Sequence, residues 1–166
     1  MAFLLWDASA LAKRYVPETG SEAVHALFGL GGTARMAVTM LGYAETLSVL
    51  TRKRNRGEVS PATFTEAKTL LRTEVANNPM FSLLTLDDAA VLAGLAFIDQ
   101  HNLNATDAAI LALYLRYSRM PRPGSERHWL VASDKRLLSA ARAEGMAALD
   151  PEVVRASEVS HLLAVP

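Results

Sequence analysis

The chain contains no cysteine. That absence excludes a disulfide scaffold, a thiolate zinc site and a cysteine nucleophile. It suits a reducing cytosol, and a cytoplasmic protein is the expectation. No apolar run approaches the ~18 residues that a membrane span needs. The opening, MAFLLWDAS, lacks a basic region and meets Asp7 after a very short apolar stretch, so it does not read as a signal peptide. Net charge is absent as well, because 17 Lys and Arg balance 17 Asp and Glu. Bulk charge therefore advertises no nucleic-acid partner, and any polyanion affinity must come from a local patch. Repeats, low-complexity tracts and linkers are also missing. What remains is core: 51% of the 166 residues are hydrophobic, which argues against disorder and suits one domain over 1–166.

The punctuation reads as strands alternating with helices. AFLLW, RMAVT, FSLLTL and HWLVAS are short apolar runs, as expected of strands buried on both faces, and MAALDP is a candidate fifth. Between them lie helical patterns: SALAKRYV, with Ser9 as N-cap and a stop at Pro17; SEAVHALF, ended by glycines; and LGYAETLSVLTRKRN, stopped at Gly57. Ser60 and Pro61 give the clearest helix start, at N-cap and N1. DDAAVLAGLAFIDQHN and ATDAAILALYLRYSR are strongly apolar helices, MPRPGSER is a loop, and DKRLLSAARAEG is a last helix with Gly145 at C′. Strands separated by helices imply an α/β domain: a central parallel sheet of four to five strands with helices on both faces.

Acids mark the edge of that sheet. Asp7 and Asp134 follow strands, and Asp107 heads an apolar helix. In such sheets sites form beyond the carboxyl ends of the strands. Each acid has a simpler explanation as a cap or first-turn acid favoured by the helix dipole. Glu45 lies inside a helix, where no N-terminal dipole accounts for it, and its simpler reading is an exposed glutamate between core positions. Two unit charges ~4 Å apart repel by about 4 kcal/mol at an effective dielectric near 20. Convergence of all four would therefore call for a cation. Clustered oxygen ligands suit Mg²⁺ or Mn²⁺, and two such ions serve phosphodiester hydrolysis. The sequence leaves open whether the four acids meet.

Four stretches carry a family likeness: LLWDASALAKRY with Asp7 and Ser9, YAETLSVL with Glu45, NATDAAILALY with Asp107, and WLVASDKRLLSAAR with Asp134. In this order they resemble PIN-domain proteins, and more narrowly the toxin ribonucleases of bacterial VapBC-type toxin–antitoxin pairs. The GMAALDP ending also fits. The resemblance implies a PIN-like three-layer α/β/α fold and a metal-dependent endoribonuclease. It gives Asp7, Glu45, Asp107 and Asp134 the catalytic role. Asp7 and Asp107 would hold Mg²⁺ or Mn²⁺, with Glu45 and Asp134 ligating directly or through water. A cognate antitoxin and a homodimer are implied too. Family members often have Thr or Ser two residues before the last acid; here that position is Ala132, and Ser133 stands beside it.

Other residues have smaller parts. Ser9 and Ser133 are candidate hydroxyls for orienting the carboxylates. Arg52, Lys53, Arg54 and Arg56 in TRKRNR are candidate RNA contacts; their simpler reading is a solvated helix end. The four histidines are scattered and fit surface or helix-end places, with no triad context. Trp6 and Trp129 read as core. Two rival functions stand beside the nuclease. A haloacid-dehalogenase-like phosphatase wants a second Asp two residues after the first, where Ser9 stands. A degenerate PIN scaffold, binding RNA or protein without cutting, would not need all four acids.

Overall fold

The computed structural model describes residues 2–30, 32–120 and 127–164. Five strands build one sheet: β1 (Ala2–Trp6), β2 (Met36–Thr39), β3 (Ser82–Leu84), β4 (Arg127–Val131) and β5 (Ala147–Leu149). All neighbours are parallel, in the order β3-β2-β1-β4-β5. The helices are α1 (Ala8–Leu11), α2 (Ser21–Gly29), α3 (Met40–Asn55), α4 (Pro61–Leu71), α5 (Asp88–His101), α6 (Ala105–Ser118), α7 (Lys135–Ala143) and α8 (Val159–Ala164). The three-layer α/β/α arrangement expected from the sequence is therefore the one observed. The loop expected over 120–127 lies, but for its two ends, outside the described residues.

The sheet is buried on both faces, and the period of two sorts its side chains. Leu4, Trp6, Met36 and Val38 face a core closed by α1 to α4 and the start of α8. Phe3, Leu5, Ala37 and Leu130 face a second core, closed by α6 and α7. Order β3-β2-β1-β4-β5 makes the chain wind one way from β1 and then the other, so β1 and β4 flank the point where connections diverge. Ligand clefts of open α/β sheets lie at such points.

Several local expectations need correction. The first helix is capped by Asp7, whose Oδ2 accepts the Ser9 N–H at 2.8 Å; Ser9 is the second residue of the helix. After four residues that helix tightens into a 3₁₀ turn over Ala12–Arg14. His128 is not at the surface: it is buried on β4, its ring tilted against that of Phe3 with centroids 5.3 Å apart. Trp6 is fully buried, whereas Trp129 is only half-buried beneath Arg127. The apolar helix α5 is mostly outside the core, burying Ala90 and Gly94 while Val91, Leu92 and Leu95 stay exposed. At Gly94 it nearly touches α6. A Cβ there would sit 2.8 Å from the Ala108 backbone, so glycine is what permits the approach, one residue after Asp107.

Candidate active site

Asp7 ends β1 and caps α1, so its backbone and carboxylate are fixed together. Its Oδ2 accepts both the Ser9 N–H and the Ser9 hydroxyl. Ser9 Oγ in turn accepts the Ser133 N–H at 2.9 Å. With that lone pair used, the Ser9 hydroxyl proton points to Asp7, and the serine ties the β1–α1 turn to the β4–α7 turn. Asp134 caps α7, and its Oδ1 accepts the Arg136 and Leu137 N–H groups at 2.8 and 3.0 Å. Its Oδ2 has no hydrogen bond among the described residues.

Asp107 stands in the first turn of α6. Asn104, the N-cap, accepts the Asp107 N–H at 2.9 Å and donates its own amide to Asp107 Oδ2 at 2.8 Å. Glu45 sits mid-helix on α3, whose start is fixed by Thr39 accepting the Gly42 N–H at 2.8 Å. The Glu45 carboxylate has neither hydrogen bond nor ion pair with any described residue. Capping and clustering thus coexist: the fold uses helix starts to carry acids to one edge of the sheet.

The four carboxylates act on one another. Burial pushes the Asp7 carboxyl up and Asp134 adds to the rise, against the Ser9 hydrogen bonds. Burial, then Asp7, then Asp107, raise Glu45. Asp107 is pushed up to about 6 by burial first, then by Asp7 and Asp134. Each of the four therefore lies within electrostatic reach of at least two others. None makes an ion pair among the described residues. The nearest relief comes at longer range, from Arg52 on Glu45 and from Arg136 on Asp107.

A hard divalent cation suits this donor set, which is all oxygen and carries uncompensated charge. Ser133 adds a buried hydroxyl without a hydrogen-bond partner among the described residues, beside Asp134. Among the described residues, no three such side chains already close around a point that would hold an ion. Ala132 is fully buried and its N–H bonds to the Leu149 carbonyl at 3.2 Å, so the hydroxyl often found there in the family is replaced by packing.

The basic run at the end of α3 divides. Lys53 pairs with Glu18 at 2.9 Å and Glu58 at 3.5 Å. Arg54 lies over the Phe64 ring at 4.5 Å, and Arg56 pairs with Glu58 at 3.7 Å. Arg52 alone of the four has no such engagement among the described residues, and it lies on the Glu45 side of the helix. Arg136, in the first turn of α7, is an exposed cation near Asp107 that the sequence reading passed over. No charge pattern marks it, since it follows Lys135 on a polar helix start. Tyr114 is a second residue that the sequence hid among apolar neighbours.

No curated protein matches the chain. Among solved structures, PAE2754 from Pyrobaculum aerophilum shares its fold at a TM-score of 0.62 and 20% identity, covering 98% of this chain and 94% of that one. A structure of FitAB bound to the IR36 DNA fragment contains a chain similar at a TM-score of 0.64 and 14% identity, covering 92% of this chain and 98% of that one. Among the described residues no helix is long and apolar enough to cross a membrane. Residues 4–143, the stretch that includes all four acids, match the sequence profile of the PIN domain, and the chain belongs to that family.

Proposed function

We propose that the chain, acting as one domain over 1–166, is a divalent-metal-dependent endoribonuclease, and that it is the toxin of a type II toxin–antitoxin pair resembling VapC. PIN domains are typically nucleases, which supports the first half. The single observation that carries it is the group of four carboxylates that act on one another and make no ion pair among the described residues. Asp7 and Asp107 hold Mg²⁺ or Mn²⁺, and Glu45 and Asp134 ligate it directly or through water. The bound ion supplies positive charge for the phosphate and for an attacking water. Ser9 keeps the Asp7 carboxylate oriented, and Ser133 is a further hydroxyl at the same edge. Arg52, with Lys53, Arg54 and Arg56 behind it, offers charge to a flanking RNA phosphate.

A cognate antitoxin as partner, a homodimer as the assembly and the cytoplasm as the location complete this reading, as the resemblance to VapBC-type toxins implies. Retention of all four acids argues against a degenerate scaffold, and Ser9 two residues beyond Asp7 argues against a phosphatase of the haloacid-dehalogenase kind. The test is RNA cleavage by purified protein with Mg²⁺ or Mn²⁺, with EDTA as the blank. Asp7→Asn and Asp107→Asn should each lower cleavage by orders of magnitude with the fold intact. Full activity in both variants would refute the assignment.

A further inference from the structure

Tyr114 is fully buried in α6, between apolar neighbours, yet it carries a hydroxyl. Phenylalanine would fill the same space without the cost of burying a polar group. The hydroxyl therefore needs partners, and it has two backbone groups. It donates to the Trp6 carbonyl at 2.7 Å and accepts the Thr39 N–H at 3.2 Å. These partners belong to different strands, and both are strand-terminal.

Their places in the ladder matter. The Asp7 N–H donates to the Val131 carbonyl on β4 at 2.9 Å. Backbone groups of successive strand residues face opposite neighbours, so the Trp6 carbonyl faces β2. The register pairs Trp6 with Val38, which puts the Thr39 N–H opposite that carbonyl as the last rung. Beyond it the chains part. β1 runs straight into Asp7, and β2 runs into α3, which begins at Met40 and carries Glu45. Tyr114 is bonded to both members of the last rung before this divergence.

The same residue reaches the third acid through its own helix. Asp107 and Tyr114 are seven residues apart on α6, about two turns or ~10 Å along the axis. One rigid helix thus links the Asp107 carboxylate to the strand ends behind Asp7 and Glu45. Asp7 and Glu45 both press on the Tyr114 phenol, which burial already holds protonated, so its donor role does not lapse with pH.

We propose that Tyr114 is a positioning residue of the acidic site: its hydroxyl clamps the last rung between β1 and β2 and so fixes where Asp7 and Glu45 stand relative to Asp107. The proposal rests on the metal-site reading of those acids. Tyr114→Phe tests it, because the ring and its packing are kept. Val24→Ala serves as the control, since Val24 is fully buried in α2, a helix that carries none of the four acids, and its truncation should lower stability while keeping both hydrogen bonds at the rung.

Two measurements apply to both variants and to the wild type. Amide hydrogen exchange at Thr39 is followed without metal, and Mn²⁺ affinity is taken by electron paramagnetic resonance. In Tyr114→Phe, Thr39 should exchange faster than in the control, and Mn²⁺ should bind about tenfold or more weakly, the usual loss when a group supporting a metal ligand is removed. Val24→Ala should bind Mn²⁺ as the wild type does. Equal Thr39 exchange in the two variants overturns the clamp. Faster exchange with unchanged Mn²⁺ affinity leaves a strand fastener and overturns the positioning role. A wild type that takes up no Mn²⁺ overturns the metal reading itself, a failure seen in a different protein from either of these.

Discussion

Around Lys13, three carboxylates are each tied to lysine; at the carboxyl edge of the sheet, four are tied to none. In the first region Glu152 pairs with Lys13 at 2.9 Å and Lys135 at 3.3 Å, Glu18 with Lys53 at 2.9 Å, and the buried Asp150 with Lys135. Lys13 itself is nearly buried, with its side chain 5% exposed. This is a structural lattice that ties the 3₁₀ turn after α1 to the segment after β5. In the second region Asp7, Glu45, Asp107 and Asp134 make no ion pair among the described residues, and the charges that act on them are one another and two arginines at longer range. Both regions are rich in acid. Company, not acid content, separates a group that holds the fold from one left open to a cation.

The largest difference should appear in catalysis. Asp134→Asn removes one acid from the open group and should lower metal-dependent RNA cleavage by about a hundredfold or more, the low end for groups that act on a reacting centre. Glu152→Gln removes one acid from the paired group and should leave cleavage within about twofold. Single-turnover assays on both variants, at saturating Mn²⁺, decide it. Equal losses would erase the distinction between the two regions.

Stability should separate them in the opposite sense. Lys13→Ala strips Glu152 of one partner and removes a nearly buried charged hydrogen bond, which costs about 1–3 kcal/mol. The Mn²⁺-dependent rise in melting temperature, which comes from preferential binding to the native state, should be the same in Lys13→Ala as in the wild type. In Asp7→Asn that rise should shrink. Calorimetry with and without Mn²⁺ reads both quantities. A lost rise in Lys13→Ala would mean that the ion binds at the paired region.

The pH dependences also have opposite signs. Glu152 is held below its ordinary value, first by its hydrogen bond to Lys13, so its contribution is present at neutral pH and lost as pH falls. Asp107 is pushed up to about 6 from 3.8, chiefly by burial. A carboxyl raised on folding binds its proton more tightly in the native state, so its stabilising effect is complete below about pH 4 and is lost as pH rises through about 6. Urea melts of metal-free protein across this window should show that loss in the wild type and much less of it in Asp107→Asn. Parallel curves would remove Asp107 from the strained group.

The sheet, its helices and three of the four acids were legible because local signals coincide with the global fold. Strands buried on both faces read as apolar runs, and Asp7, Asp107 and Asp134 sit at helix starts where short-range chemistry wants an acid. Glu45 stood out for the opposite reason, since no helix end explains a glutamate there. Tyr114 was not legible at all. Its partner Trp6 lies 108 residues earlier in the chain, and a tyrosine in an apolar helix looks like core until the rung is seen. The exposure of α5 was hidden for the same reason: its apolar composition is that of a buried helix, and only packing at Gly94 shows how little of it the core takes. The division of the basic run depends on Glu18, Glu58 and Phe64, contacts that no spacing within TRKRNR foretells.

That division yields the smallest expected effect. On the nuclease reading, a chain of zero net charge holds RNA through local cations, and the company rule that sorts the acids should sort the bases too. Lys53 and Arg56 are already paired, and Arg54 is laid over Phe64, so phosphate would have to compete for them. Arg52 is free of ion pairs among the described residues and lies about two turns from Glu45, ~10 Å along α3. Arg136, in the first turn of α7, acts on Asp107. Each phosphate contact on a single strand contributes about −0.7 to the slope of log K against log salt. Arg52→Gln with Arg136→Gln, in an Asp7→Asn background that blocks cleavage, should therefore make the slope shallower by about 1.4 and weaken binding. Lys53→Gln, Arg54→Gln and Arg56→Gln together should change it less, although they remove more charge. A larger change from the triple variant would show that RNA displaces the existing partners, and the rule drawn from the acids would then fail for the bases.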